Sequence, residues 1–357
     1  LTLDDGAGTQ VVAGLCQETV DRLMVAGRAR HPGPEEWNSE DPARVGSWRR
    51  WGLIWGAPES VRYSVAFDPD AFIDVSLDLI EEAGVRLRLH THFAGVAVED
   101  GAIAAVMVES KAGRQAIRPT VVVDATGDGD VFAAAGAPFE LVPIPPHLWF
   151  RVGGVAEEAS SGPLWFRTVD PGRSLVAWGP APERIDPTDP VALTAAELAC
   201  RRGARHTFED LRSSVPGWEG AWLDDYARML GITESRRLVG DHVLTKEEGD
   251  VPFGDSVART GHWTRRAVVY DIPLRCLTTP TVSNLVVAGR CISTTRYVHQ
   301  ATKEIPAAMA TGEAAGAAAA MAAAAASDRP AVVAGVDTDR LRADLRKAGA
   351  IVGGPAA

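Results

Sequence analysis

The sequence has no cysteine motif. Its four cysteines stand at 16, 200, 276 and 291 and none forms a CxxC pair, so neither a thiolate zinc site nor a thioredoxin-like centre is indicated. A disulfide framework is not expected in a chain of this size, which points to a reducing, cytoplasmic compartment. Positive charge is also short. With 36 Lys and Arg against 47 Asp and Glu, the net charge is -11, and a nucleic-acid partner would need a basic face. No basic segment followed by an apolar run opens the chain at Leu1, so no signal peptide is read. The nearest thing to a membrane span, residues 307–326, is mostly alanine and carries Gly312, Glu313 and Gly316. Alanine gains little on entering lipid and a mid-span Glu is costly there, so no membrane partner is expected. Asp124, Asp128 and Asp130 resemble a calcium loop in spacing but lack its distal bidentate Glu, and no metal is expected.

What the chain does have is concentrated near its C-terminus. Leu285, Val286, Val287 and Ala288 form a short apolar run suited to a strand buried on both faces. Gly289 ends it where a backbone can approach closely. Ile305 and Pro306 then stand at the start of a long small-residue helix, and proline suits a first helical turn. A helix beginning beside the C-terminal end of a parallel strand points free N–H groups into the crevice where α/β sheets bind ligands. A buried strand and helix without a ligand is the competing reading. The 357 residues allow about two domains.

Earlier in the chain, Val20, Leu23 and Met24 share a helical face, with Gly27 as a stop. Trp37, Trp48, Trp51 and Trp55 crowd one aperiodic stretch; packing a long loop onto the body is favoured over lining a cleft. Asp68 and Pro69 start a helix that Gly84 ends. Val85, Leu87 and Leu89 alternate with Arg86, Arg88 and His90 as in a half-buried strand. Residues 93–118 read as a three-stranded meander turning at Asp100-Gly101. Residues 121–123 read as a buried strand, followed by a turn in which Asp128 or Asp130 caps a helix near Val131.

From about residue 139 to 274 the composition shifts, and a second, inserted domain is expected. Residues 191–211 and 218–230 look helical. Arg236 and Arg259 are candidates for gripping an anionic substrate, surface ion pairs being the alternative. His262 and His299 are candidates for proton transfer. A short charged helix falls at 338–347.

Five stretches in order, VVVDATGDGDVFAAAGAPFE, ESRRLVGDHVLT, DSVAR, YDIPLRCL and NLVVAGRCIS, resemble the FAD-dependent oxidoreductase family related to the flavin subunit of heterodisulfide reductase. The resemblance runs from about Gly8 to the tail. It implies an α/β, glutathione-reductase-like FAD-binding fold: an incomplete parallel sheet plus the meander, with an inserted α+β substrate domain. FAD-binding pieces at 1–138 and 276–326 would flank a substrate domain at 139–275, with a tail at 327–357. The implied cofactor-binding residues are Ala125, Thr126 and Gly127, Phe93 near the adenine, Gly289 and Arg290, and Ile305, Pro306 and Ala307 at the flavin end. Lys303 stands where the family more often has Arg. The family's opening strand, Gly-rich loop and helix have no counterpart after Leu1, since residues 6–10 have no strand ahead of them.

Two readings follow. One is an enzyme moving a hydride or electron pair between a small organic substrate and non-covalently bound FAD. The other is a truncated or inactive fragment that binds no FAD on its own. An iron–sulfur cluster is known among the relatives but is not supported by the cysteine spacing. A homo-oligomer is compatible with either reading. Without a central strand, residues 121–123 and 285–287 would lose a shared neighbour and expose edges.

Overall fold

The computed structural model describes residues 2–177, 179, 182–326 and 330–354. It is a mixed α/β protein. The N-terminal segment is tied inward by charge: Asp4 and Arg62 form a fully buried ion pair, and Asp4 also accepts the Tyr63 N–H at 2.8 Å. Helix α1 (Leu15–Val25) buries Val20 and Leu23 but leaves Met24 39% exposed, so its apolar stripe is narrower than the spacing suggested. Its N-cap, Gly14, offers no side chain; the carboxylate of Glu313 accepts the Leu15 N–H at 3.1 Å instead. That contact explains an acidic residue inside an alanine-rich helix.

Strand β1 (Ala29–Arg30), helix α2 (Pro42–Arg49) and strand β2 (Ala66–Phe67) follow, with β1 and β2 antiparallel. Helix α3 (Pro69–Glu82) starts at its expected cap, since Asp68 accepts from Asp70 and Ala71, and it ends before Gly84 at φ 67. The strand expected at 85–90 does not form. Val85, Leu87 and Leu89 are 58, 45 and 61% exposed. Alternation makes a strand only where a neighbour completes the ladder, and no described residue pairs there. The meander does form, as β3 (His92–Glu99), β4 (Ala102–Ser110) and β5 (Gly113–Ile117). Its first turn has Asp100 at φ 48 and Gly101 at φ 73, the left-handed pair that a two-residue hairpin requires.

Next come β6 (Val122–Asp124), α4 (Asp130–Ala134), β7 (Phe139–Leu141), β8 (Phe150–Gly153), β9 (Trp165–Arg167), β10 (Arg173–Val176), α5 (Pro190–Ser214) and β11 (Trp222–Tyr226). A four-stranded antiparallel sheet in the order β11-β8-β10-β9 packs with α5 around Phe150, Trp165, Phe208 and Trp218. The helix expected at 218–230 is therefore β11. The edge of β8 offers a ladder, and the Trp222 indole covers Gly153 and Gly154, which have no side chains of their own.

Strands β12 (Arg236–Leu238), β13 (Ser256–Gly261), β14 (Val269–Pro273) and β15 (Leu285–Val287) precede α6 (Arg296–Thr302), α7 (Ile305–Ala325) and α8 (Thr338–Lys347). Leu238, Val257, Tyr270 and Ile272 bury into the same core as β15 and α7. A separate buried cluster draws on Leu148 to Ala221, with Leu223, Tyr226 and Leu230 packed against it.

Strand β15 pairs directly with β6 in parallel, Val287 opposite Asp124. The two strands pair with no strand between them, and their described sheet has no third strand, so each is left without the shared neighbour, in line with the expectation. The expectation of burial holds for β15 alone, because Val123 on β6 is 38% exposed. Helix α7 lies close under this pair through Ala314, Ala315, Ala318 and Ala322, whose short side chains permit the approach. No described helix is long and apolar enough to cross a membrane.

Candidate active site

Because β6 and β15 run in register, their C-terminal turns meet. Gly127 has φ 77 and Gly289 has φ 83, conformations that side-chain-bearing residues rarely adopt. The two turns share one guanidinium: a Cβ on Gly127 would collide with Arg290. Arg290 is held by Asp128 at 2.6 Å, and Asp128 also accepts the Ser235 hydroxyl. Arg236 binds the Asp128 carbonyl at 3.1 Å and the Asp130 carboxylate at 2.8 Å. The expectation that Asp128 or Asp130 caps α4 is corrected: neither does. Asp124 does, accepting the N–H groups of Val131 and Phe132 at 3.1 and 2.9 Å. Its end-of-strand position aims the carboxylate at the helix start, whereas Asp128 is taken up by Arg290 and Ser235 and Asp130 is already the first helical residue. Gly289 donates its N–H to the Thr311 hydroxyl at 3.0 Å, joining the turn to α7.

Behind this junction lies a buried polar cluster. Glu234 and Arg237 pair at 2.6 Å with both side chains 3% exposed, and Arg237 also holds Glu140. Burial raises the Glu234 carboxyl, against the pull of Arg237. His299 is fully buried, its Nδ1 4.0 Å from Glu234. Burial, then the charges of Arg237 and Lys303, depress it to about 3, so it is neutral at pH 7. Its ring faces the Arg290 carbonyl without completing a hydrogen bond of good geometry. The Nε atoms of Arg237 and Arg290 and the hydroxyls of Thr294 and Thr295 are likewise buried without partners. Such atoms are costly to leave unsatisfied. Their concentration beside the strand ends suits a group rich in acceptor oxygens.

A cleft of about 690 Å³ opens at the start of α7. Ile305 and Pro306 form part of its wall, while Ala307 is buried behind them. The N-cap of α7, Glu304, makes no side-chain cap, so the first-turn N–H groups are free of one. Trp51, Trp55, Trp149 and Trp263 line the cleft. The crowded tryptophans therefore divide. Trp37 stacks on Tyr63 at 4.5 Å and Trp48 donates to Glu36 at 3.1 Å, both packing the loop, whereas Trp51 and Trp55 face the cleft.

The structure brings Ala125, Thr126, Gly127, Gly289 and Arg290 together at the strand ends. Phe93, on β3, packs half-buried against the main core. The other candidates lie outside the cleft wall. His262 is buried, with Nδ1 3.3 Å from the Thr264 N–H, and burial and the charges of Arg265 and Arg62 lower it to about 4. Arg259 is engaged with buried Asp271 at 2.8 Å, and Arg236 serves the aspartate turn. The cleft instead contains His147, Lys303, Arg151 and Arg228. Burial and the Lys303 charge lower His147. Its only signal in the sequence was the aromatic run at 147–150, which has no period to follow.

All four cysteines are buried and none is in a disulfide. Burial pushes the Cys276 and Cys291 thiols up, Cys291 to about 12, which opposes the thiolate a cluster needs. Among the described residues no group of three or more His, Cys, Asp or Glu side chains could hold a metal ion.

The family described as FAD dependent oxidoreductase matches the chain over residues 2–186 and 149–345. No curated protein matches it. Among solved structures it is similar to p-nitrophenol 4-monooxygenase PnpA from Pseudomonas putida, at 12% identity and a TM-score of 0.37 over 75% of this chain and 54% of that one. It is similar to an L-amino acid deaminase from Proteus vulgaris at 14% identity and 0.37, over 78% and 57%. A geranylgeranyl bacteriochlorophyll reductase-like protein from Thermoplasma acidophilum gives 13% and 0.41, over 82% and 60%. The chain thus spans between about half and three-fifths of these proteins.

Proposed function

The chain belongs to the FAD-dependent oxidoreductase family, and from that premise we propose that it binds FAD non-covalently across the Gly127–Gly289 junction. In this reading it passes a hydride or electron pair between a small organic molecule in the cleft and the flavin. The observation that carries the reading is the in-register ending of two parallel strands in left-handed glycines with one guanidinium between them. Crevices beyond parallel strand ends are where α/β sheets take ligands. The group also fits the residues present. The glycine turns form a cradle that side chains would fill, and orphaned donors on Arg237, Arg290, Thr294 and Thr295 stand beside it.

Arg290 would exchange part of its contact with Asp128 for a pyrophosphate oxygen. The start of α7 would favour negative charge at the ring end. A glutathione-reductase-like arrangement, with the four-stranded sheet and α5 roofing the ring, is the finer fold reading. FAD, once bound, supplies the two-electron chemistry. His147 is the histidine on the cleft wall, and it takes the proton-transfer role that the sequence assigned to His262 and His299. Those two, neutral at pH 7 with values of about 4 and about 3, pack behind the site and hold their neighbours in place. The test is direct. The purified chain should show flavin absorption in the visible, or acquire it on titration with FAD, and Arg290→Ala should weaken uptake. A colourless preparation that takes up no added FAD refutes the proposal.

A further inference from the structure

We infer that the cleft selects a neutral, planar aromatic molecule bearing a hydroxyl or carbonyl oxygen. This deepens the proposed function and rests on it for the reaction, but not for the binding. Four of the chain's ten tryptophans stand in this one wall, joined by Phe166 and Tyr226. Trp55 is the corner of the wall: it meets Phe166 edge-on at 6.1 Å and Trp263 edge-on at 5.7 Å. The corner is anchored from behind, because Arg62 donates to the Trp263 carbonyl at 2.6 Å and Gly56 lies against the Thr264 carbonyl. Rigid indole walls reward a flat partner, since ring stacking adds to the apolar area removed from water. The volume suits a ligand of several rings.

Charge decides the rest. The cations of the wall, Arg151, Arg167, Arg228 and Lys303, each hold a carboxylate. The carboxylates Asp68, Asp70, Asp170, Asp225 and Glu304 each hold a cation. An anionic or cationic ligand would have to compete with these existing partners, least readily at the more buried members Asp68, Lys303 and Arg151, which are 2, 14 and 17% exposed. The anionic substrate first read from Arg236 and Arg259 is accordingly set aside, for neither arginine lines the wall. Two polar groups in the wall are buried with no acceptor among the described residues, the Trp263 indole N–H and the Arg167 Nε–H. A hydroxyl or carbonyl oxygen on the ligand would supply one.

The test is calorimetric titration of the full chain with 2-naphthol, its saturated analogue decahydro-2-naphthol, 2-naphthoate and 2-naphthylmethylammonium. The expected result is that 2-naphthol binds at least about tenfold more tightly than each of the others. Trp55→Leu and Trp263→Leu should each weaken it about tenfold, while Trp55→Phe stays within about threefold. Trp222→Leu, at a 56% exposed position outside the cleft, should change nothing. The inference is overturned if 2-naphthol does not bind, if the saturated or charged analogues match it, or if both leucine variants bind normally. It is also overturned if FAD displaces 2-naphthol competitively, for then the wall belongs to the flavin ring alone. A chain that takes up no FAD but binds 2-naphthol in this pattern defeats the proposed function and leaves this inference standing.

Discussion

The strand-end junction and the aromatic cleft adjoin at the start of α7 and are built from opposite materials. The junction is backbone and small residues: two left-handed glycines, an alanine helix close beneath, and one guanidinium set by a carboxylate. The cleft is large side chains drawn from separate stretches of chain, around residues 51, 67, 149, 166, 226 and 263. A site made of backbone tolerates almost no added atom, because the strand ladder and helix cannot retreat. One made of rings tolerates substitution in its fold and loses selectivity first.

The contrast can be broken most forcefully at Gly127. Gly127→Val puts a β-branched residue at φ 77 and displaces Arg290. It should cost about 2–4 kcal/mol of stability and abolish FAD uptake, read by denaturant unfolding and absorption. A variant of wild-type stability would show that the junction can yield after all. Arg290→Ala, next in size, should weaken FAD by about 2 kcal/mol while leaving 2-naphthol binding in the cleft unchanged. Equal losses of both ligands would mean the two regions act as one.

A subtler probe is pH. His299 takes a proton at 6.5 when free of its surroundings but only at about 3 when folded. Between those values the unfolded chain binds more protons, so this contribution to stability is complete above 6.5 and declines as pH falls toward 3. His262 adds to the same slope between 6.5 and about 4. Glu234, raised by burial and facing His299 together with Arg237, acts in the opposite sense, its contribution falling as pH rises. Urea unfolding at several pH values should therefore show a shallower acid slope for His299→Gln than for the parent. An unchanged slope would remove His299 from the account. The smallest effect is expected at Glu313, which lies on the helix shared by both regions. Glu313→Ala removes the acceptor of the Leu15 N–H and should cost about 1 kcal/mol, with both ligands still bound.

Where neighbouring residues alone settle a conformation, the reading of the chain succeeded. Asp68 and Pro69 open α3, Gly84 closes it, and Asp100-Gly101 turns the meander. Ile305 and Pro306 open α7. The failures share a cause in partners distant along the chain. Trp222 and Tyr226 fit a helical spacing, yet β8 supplied a ladder that made them a strand. Val85, Leu87 and Leu89 alternate correctly, yet no described strand pairs with them. The cap of α4 fell to Asp124 rather than to the aspartates nearer the helix.

Local chemistry therefore determined the two glycine turns, the small-residue helix and the capped ends, because φ preference, side-chain volume and capping act over a few residues. Tertiary structure decided which turns share a guanidinium, which histidine reaches the cleft and which tryptophans wall it. Those outcomes depend on contacts between residues a hundred or more positions apart, such as Arg290 with Asp128, and no periodicity in the chain encodes them.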